Sequence, residues 1–460
     1  MRRARTTIGI ALAAAAGVAV ALALVLAGTG AHPSAATAAR PATRSPDAIP
    51  PLSIAIDGDH FVNGAGDTVR LLGVDQPSLE YACEEGWGED DGMMDATDAG
   101  EIAAWHADAV RLPLNEDCWL GINGQPSYGT AVEYRQTVEA YVSQLEADGI
   151  YPILDLHWSA PGATVADGQR PMPDANSVSF WSSVASTFAG DHAVVFDAFN
   201  EPYSPAADGD SQLAVSWGCW ENGGCSVPVA ADGTTPDDND TYVAVGMQAL
   251  VTAIRDAGAS QPIMLGGLSY ANDLSGWLAN EPTDPDHQLA ASLHVYEGNS
   301  CDDVSCWNAE VAPVAAQVPV VAGEFGQDCD GSSFDDDFMN WADGAGVSYL
   351  AWAWWDVFGD DACNSDNYTV LDDASGTPAS PNGTALHDHL ATTPAVTTPP
   401  STTLPTSAGA PPTTTTTAPT TTTRPPTVRR HPVVFAVRPL RTVPNLGRAL
   451  ALALVAGAHR

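Results

Sequence analysis

Between residues 52 and 390 the chain repeats one rhythm. A short apolar run rich in β-branched and aromatic residues is followed by a polar or amphipathic stretch of helical length. The apolar runs fall at 69–75, 109–114, 151–157, 194–200, 262–268, 289–296, 318–324 and 348–354. Helical patterns lie between them at 98–106, 131–148, 177–189, 240–257 and 334–345, with Thr97 or Asp98 and Asp240 expected as N-caps and Gly149 and Gly258 as stops. Strand and helix in alternation mark βα units and a parallel sheet, and eight such units suit an α/β fold closed as a (β/α)8 TIM barrel. A doubly wound open sheet would want a glycine-rich phosphate loop after its first strand. Gly73-Val74-Asp75-Gln76-Pro77 is not one. Ahead of the first run, Ile54-Ala55-Ile56, Asp57-Gly58 and Phe61-Val62 read as a β-hairpin able to plug the floor of the barrel.

Charge sets the limits of this region. All but one of the 57 acidic residues (Asp47) fall between 52 and 390, with only five of the 17 arginines, and the chain has no lysine. So acidic a surface repels phosphate backbones and anionic lipids, which excludes nucleic acid as a partner. Arg2, Arg3 and Arg5, an apolar run from Ile8 to Ala27 and Ala36-Thr37-Ala38 read as a signal peptide over 1–38. A short tether follows at 39–51, and the catalytic barrel is expected over 52–390. A Thr/Pro-rich linker over 391–427 leads to a basic tail over 428–460, expected to be disordered. The expected location is secreted, or attached to the cell surface if the leader stays uncut.

Eight cysteines, all in the acidic region, agree with export. Sequence neighbours suggest pairs 83–118, 219–225, 301–306 and 329–363, and no Cys-x-x-Cys pair with histidine partners points to a metal.

Active sites of such barrels lie at the C-terminal strand ends. Those ends carry Arg111, His157-Trp158, Asn200-Glu201-Pro202, His294-Val295-Tyr296, Gly323-Glu324-Phe325-Gly326 and Trp352-Ala353-Trp354-Trp355. Glu201 and Glu324 stand out, because glycoside hydrolysis needs two carboxyls across the scissile bond. One gives a proton to the leaving oxygen; the other attacks the anomeric carbon or activates a water.

On these motifs, from about 53 to 390, the sequence resembles glycoside hydrolase family 5, the cellulase-type retaining family. The resemblance implies Glu201 as acid/base and Glu324 as nucleophile. Arg111, His157, Asn200, His294, Tyr296 and a strand-eight Trp, Trp352 or Trp354, would bind substrate or support the pair. Arg111 would favour the ionised nucleophile and Tyr296 would donate to it. Asn200 suits the sugar 2-hydroxyl, and a Trp suits the sugar face. Each has a plainer reading: Arg111 as partner of a buried acid, His157 as a core histidine, Trp354 and Trp355 as packing.

Asp155, two residues before His157, reads as its support. Asp356, Glu297 and Asp328 are candidates for the cleft border, and Asp335-Asp336-Asp337 reads as an exposed helix start. The long insertion at 203–240, with Trp217, Trp220 and Cys219/Cys225, and the loop at 80–92, with Tyr81 and Trp87, read as disulfide-stiffened walls of an aromatic cleft.

The function expected is a secreted endo-β-1,4-glucanase acting by double displacement. It is expected to need no cofactor, metal or obligate protein partner, and to act on polysaccharide as a monomer. A β-mannanase or related β-glycan hydrolase, or exo action behind a closed cleft, stands beside it. The alternative of another class is a non-catalytic carbohydrate-binding surface protein.

Overall fold

The structure, a computed structural model, describes residues 52–393 and 396–397 apart from 93, 210, 329–330 and 356–367. The leader, tether and basic tail lie outside the described residues, as do Asp356 and the 329–363 cysteine pair. The other three disulfides form as expected, 83–118, 219–225 and 301–306.

Fourteen strands are described: β1 (Ile54–Asp57), β2 (His60–Asn63), β3 (Thr68–Val69), β4 (Leu72–Asp75), β5 (Ala109–Asn115), β6 (Tyr151–Trp158), β7 (Val195–Asp197), β8 (Ser226–Pro228), β9 (Thr241–Val243), β10 (Ile263–Gly266), β11 (Leu289–Tyr296), β12 (Val320–Gly326), β13 (Ser348–Ala351) and β14 (Val396–Thr397). The eight strands β10-β11-β12-β13-β4-β5-β6-β7 close into a parallel barrel in that order. These are the eight expected runs. Four are shorter than expected: β4 starts late, with Val69 in β3 instead, while β7, β10 and β13 end early, and the residues beyond these three leave the ladder for the top of the barrel.

Strand alternation sorts the side chains into two cores. Ala109, Ile153, Val195, Met264, Ala290, Val321 and Leu350, one from each of seven strands, meet inside the barrel floor. The hairpin β1–β2 closes that floor from below, adding Ile54 and Phe61 to the same cluster. Its tight turn places Gly58 at φ +67°, a conformation glycine adopts without penalty. Val396–Thr397 pair with β3 beside it, so pairing reaches into the Thr/Pro-rich segment.

The outward residues pack under the helices. The helix Ala131–Ala147 turns Tyr134, Val138, Tyr141, Val142 and Leu145 inward at helical spacing, and Gly149 follows it at φ +84°.

Four local expectations are corrected. The helix Ala96–Ala104 is capped by Asp95, whose side chain accepts from the Thr97 and Asp98 N–H groups. Asp98 is instead buried, accepting from Gln76 Nε2 (2.5 Å), Tyr141 Oη (2.6 Å) and Trp354 Nε1 (2.7 Å). Asp240 caps nothing, because Thr241–Val243 pairs with Ser226–Pro228 and the helix begins at Met247. Asp335 does not sit on an exposed helix start: it is 6% exposed, and burial pushes its carboxyl well above the usual range.

Trp217 and Trp220 do not line a cleft. Trp220 is fully buried, donating to the Gly266 carbonyl (2.8 Å), and Trp217 packs edge-on against it with its ring against Gly276. The helix Trp217–Asn222 turns its apolar face to the barrel, as any amphipathic helix does.

Phe61 carries the floor plug, being 2% exposed. Phe61→Ala should cost about 3–5 kcal/mol in urea unfolding. An unchanged midpoint would show that the hairpin does not seal the barrel.

Candidate active site

Two-residue steps along each strand carry the chain from the apolar floor to a charged layer and then to the site. On β5 the step runs from Ala109 to Arg111. On β6 it runs from Ile153 to Asp155 to His157, and on β7 from Val195 to Asp197. On β11 it runs from Ala290 through Ser292 and His294 to Tyr296, and from Leu350 on β13 it reaches Trp352.

Glu324 breaks this parity: Val321 faces the floor, so 323 and 325 should face inward. The ladders to both neighbouring strands slip here, and Phe325 packs outward. Such a bulge re-aims a side chain, and it turns Glu324 inward beside Gly323. A Cβ on Gly323 would lie 2.7 Å from Ser292 Oγ and 3.2 Å from His294 Nε2, so any larger residue would press on both side chains.

Arg111, fully buried, is the hub of the charged layer. Nη1 donates to Glu324 Oε1 (2.8 Å) and Asp75 Oδ1 (3.0 Å), and Nε donates to Asp197 Oδ2 (2.9 Å). Nη2 donates to Asn200 Oδ1 (2.7 Å) and lies 3.1 Å from Asp155 Oδ2. Burial alone would lower its pKa, but Asp155, Asp197, Asp75 and Glu324 hold it well above the ordinary value.

One cation thus faces four acids. Burial pushes Asp155 and Asp197 up to about 8 against the pull of Arg111, and drives Asp75 well above the usual carboxyl range. Asp75 Oδ2, Asp155 Oδ1 and Asp197 Oδ1 are buried without a hydrogen-bond partner, a cost that is smaller for a neutral carboxyl than for a charged one.

Tyr296 Oη donates to Glu324 Oε2 (2.6 Å), so each oxygen of Glu324 has a donor. His294 Nδ1 lies 2.9 Å from Glu201 Oε1 and 3.4 Å from Glu324 Oε2. One oxygen of each glutamate and a ring nitrogen of His294 lie within 4.8 Å of one another, a spacing that would also suit a cation. Burial and then the nearby Glu324 raise Glu201 well above the ordinary glutamate range. His157 Nδ1 contacts Asp155 Oδ2 (2.7 Å), and burial lowers its pKa to about 3, so the ring is neutral. Asn200 Nδ2 donates to Gln169 Oε1 (3.0 Å), and Gln169 Nε2 donates to the Glu201 carbonyl (2.9 Å).

Residues 62–358 match the family model for cellulase, glycosyl hydrolase family 5. The chain belongs to glycosyl hydrolase family 5. It is therefore a glycoside hydrolase. A mannan endo-1,4-beta-mannosidase of Streptomyces lividans is 25% identical over 318 residues, 65% of this chain and 66% of that enzyme's length. Among solved structures, a beta-glucanase of Saccharophagus degradans shares the fold with a TM-score of 0.54 at 20% identity, covering 74% of this chain and 93% of that one. A cellulase does so with a TM-score of 0.52 at 17% identity, covering 76% and 95%.

Within this hydrolase, Arg111, His157, Asn200, Glu201, His294, Tyr296, Glu324 and Trp352 come together, and Trp354 does not. Trp352 lies near-parallel to the His157 ring, with centroids 5.6 Å apart. The β13 ladder ends at Ala351, so the alternation that brings Trp352 inward does not extend to Trp354. Trp354 turns out to the helix layer, against Trp105 and Asp98. In the 80–92 loop Tyr81 is fully buried and donates to Asp91 (2.8 Å), while Trp87 keeps part of its ring exposed.

Asp75 and Asp197 were not singled out from the sequence, although both occupy the strand-end positions from which Arg111 and Asp155 were chosen. Gln169 offered no signal, since it reaches the site from a loop.

Aspartates with folded pKa values above their unfolded ones keep protons that the unfolded chain gives up. Stability should therefore fall as pH rises from about 4, the unfolded aspartate value, towards 8. Asp197→Asn removes one such group, so its loss of stability between pH 5 and pH 8 should be shallower by a few kcal/mol, of order. Urea titrations at both pH values check this; a slope as steep as that of the unaltered protein contradicts it.

Proposed function

We propose that this hydrolase cleaves internal β-1,4 bonds of a glucan by double displacement, with Glu201 as acid/base and Glu324 as nucleophile. The observation that carries this reading is the pair itself. One oxygen of each lies within 4.8 Å of the other, which favours the carboxyl spacing of about 5–5.5 Å for direct attack over the about 6.5–9.5 Å that admits a water. Glu324, held by Arg111 and Tyr296, attacks the anomeric carbon while Glu201 gives its proton to the departing oxygen. Esterification removes the negative charge on Glu324 that helps hold the Glu201 proton. Glu201 can then take a proton from the water that cleaves the ester, and each carboxyl returns to its starting state. Asn200 receives the 2-hydroxyl, and Trp352 lies under the ring of the sugar being cleaved.

The cellulase family model supports glucan as the substrate. The mannanase relative favours mannan as a second reading. The arginine-led apolar leader and three disulfides support export.

Reducing-end release from carboxymethyl cellulose and from mannan tests the reading. Glu201→Gln and Glu324→Gln should each lower turnover of the cleaved polymer by at least about 100-fold, with circular dichroism unchanged. Unimpaired turnover in either variant contradicts the assignment. Release from mannan without release from cellulose transfers it to the second reading.

A further inference from the structure

The connection between β7 and β10 is long, and its Trp-bearing helix faces the core. The rest of it still returns to the site. Asp232, near its middle, donates its N–H to the Gln169 carbonyl (2.9 Å), and the Gln169 side chain holds the Glu201 carbonyl. Asp232 Oδ1 accepts from Tyr270 Oη (3.1 Å).

Tyr270 is presented by an unusual turn after β10. Ser269, Tyr270 and Ala271 have φ of +56°, +59° and +56°, a left-handed conformation that L-residues seldom adopt in succession. The turn lays Tyr270 flat on Tyr203, with centroids 4.5 Å apart and planes 10° apart. Tyr203 follows directly on Asn200-Glu201-Pro202. The Ala271 carbonyl also accepts from the His294 N–H (3.1 Å), tying the turn to the histidine between the two glutamates.

Position in the barrel gives this group its side. In ring order β7 lies opposite β13 and β10 opposite β4. Trp352, the platform for the sugar attacked by Glu324, extends from β13; Tyr203 and Tyr270 extend from β7 and β10. The charge of Asp232 adds to burial and to Glu324 in raising Glu201. Through Gln169 the Asp232 backbone is tied to the Glu201 carbonyl, on the β7–β10 side of the ring.

We propose that Asp232 and Tyr270 form the binding site for the leaving sugar, with the carboxylate and phenol hydrogen-bonding its hydroxyls as Glu201 protonates the bond. A carboxylate accepts several donors and a phenol both donates and accepts, the chemistry that sugar hydroxyls call for. Both side chains are half-buried, and Tyr203 stacks flat on the phenol. The proposal rests on Glu201 being the proton donor. It adds that the inserted connection selects what leaves, while the Trp352 side selects what is attacked.

The test compares two substrates of the same glycone in the full chain: an oligosaccharide that the protein cleaves, and its 2,4-dinitrophenyl glycoside. The dinitrophenolate carries no sugar hydroxyls and departs without a proton. In Asp232→Ala, the ratio of kcat/KM on the oligosaccharide to kcat/KM on the aryl glycoside should fall about 10- to 100-fold, the worth of hydrogen bonds to a charged group. Tyr270→Phe should lower the same ratio by less. Equal losses on both substrates, or no loss on either, overturn the proposal. Glu201→Gln run alongside separates the two claims: it should also lower the ratio. If it does while Asp232→Ala does not, only this proposal fails. If Glu201→Gln leaves the ratio unchanged, the proton-donor assignment fails and this proposal with it.

Discussion

The site is organised by one buried guanidinium that has more acids than it can neutralise. Arg111 meets Asp75, Asp155, Asp197 and Glu324 in the middle of the barrel, with Asn200 as a fifth acceptor. Only the fixed, planar fork of an arginine presents enough donors for such a ring. A buried ion pair is stable only where its remaining polar atoms are satisfied or neutralised. Burial raises the pKa of all three aspartates against the pull of Arg111, which favours their neutral forms and so directs the positive charge of Arg111 at Glu324.

The same strands that supply this layer also fix what lies above and below it. Each inward step of two residues changes the chemistry from apolar floor to charge to substrate-facing group, so the fold places the site by counting. The bulge at Gly323 is the exception that functions. Without it the carboxylate of residue 324 would point into the helix layer, and the pairing with Glu201 would be lost. His294 between the two glutamates and Tyr296 on Glu324 come from one strand, β11, and keep the pair in register.

Much of this was legible in the sequence because it depends on local pattern. Eight apolar runs gave the barrel, and reading their C-terminal ends gave Glu201 and Glu324 and six of the residues now seen around them. The errors share a cause: they concern residues whose orientation is decided by distant neighbours. Trp217 and Trp220 lie on a short helix whose face cannot be read without knowing which side meets the barrel. Trp354 follows a strand that stops three residues earlier, and Asp335 was read from its charge although Gln327 Oε1 accepts its N–H from across a loop. Asp98 looked like a cap, yet the tertiary demands of Tyr141 and Trp354 turn it inward while Asp95 does the capping. Asp232, Gln169 and Tyr270 left no local trace at all, since loops from three parts of the chain bring them together.

The central claim is that Glu324 becomes covalently bonded to the sugar while Glu201 moves the proton. The most direct measurement is intact-mass and peptide mass spectrometry of the full chain after reaction with a 2,4-dinitrophenyl 2-deoxy-2-fluoro-β-cellobioside. The fluorine slows both steps, and the activated leaving group lets the first outrun the second, so the intermediate accumulates. The account predicts one fluoroglycosyl group per chain, carried by the peptide that contains Glu324. A label on Glu201 or on any other residue, or turnover of glucan with inversion at the anomeric carbon, would contradict it.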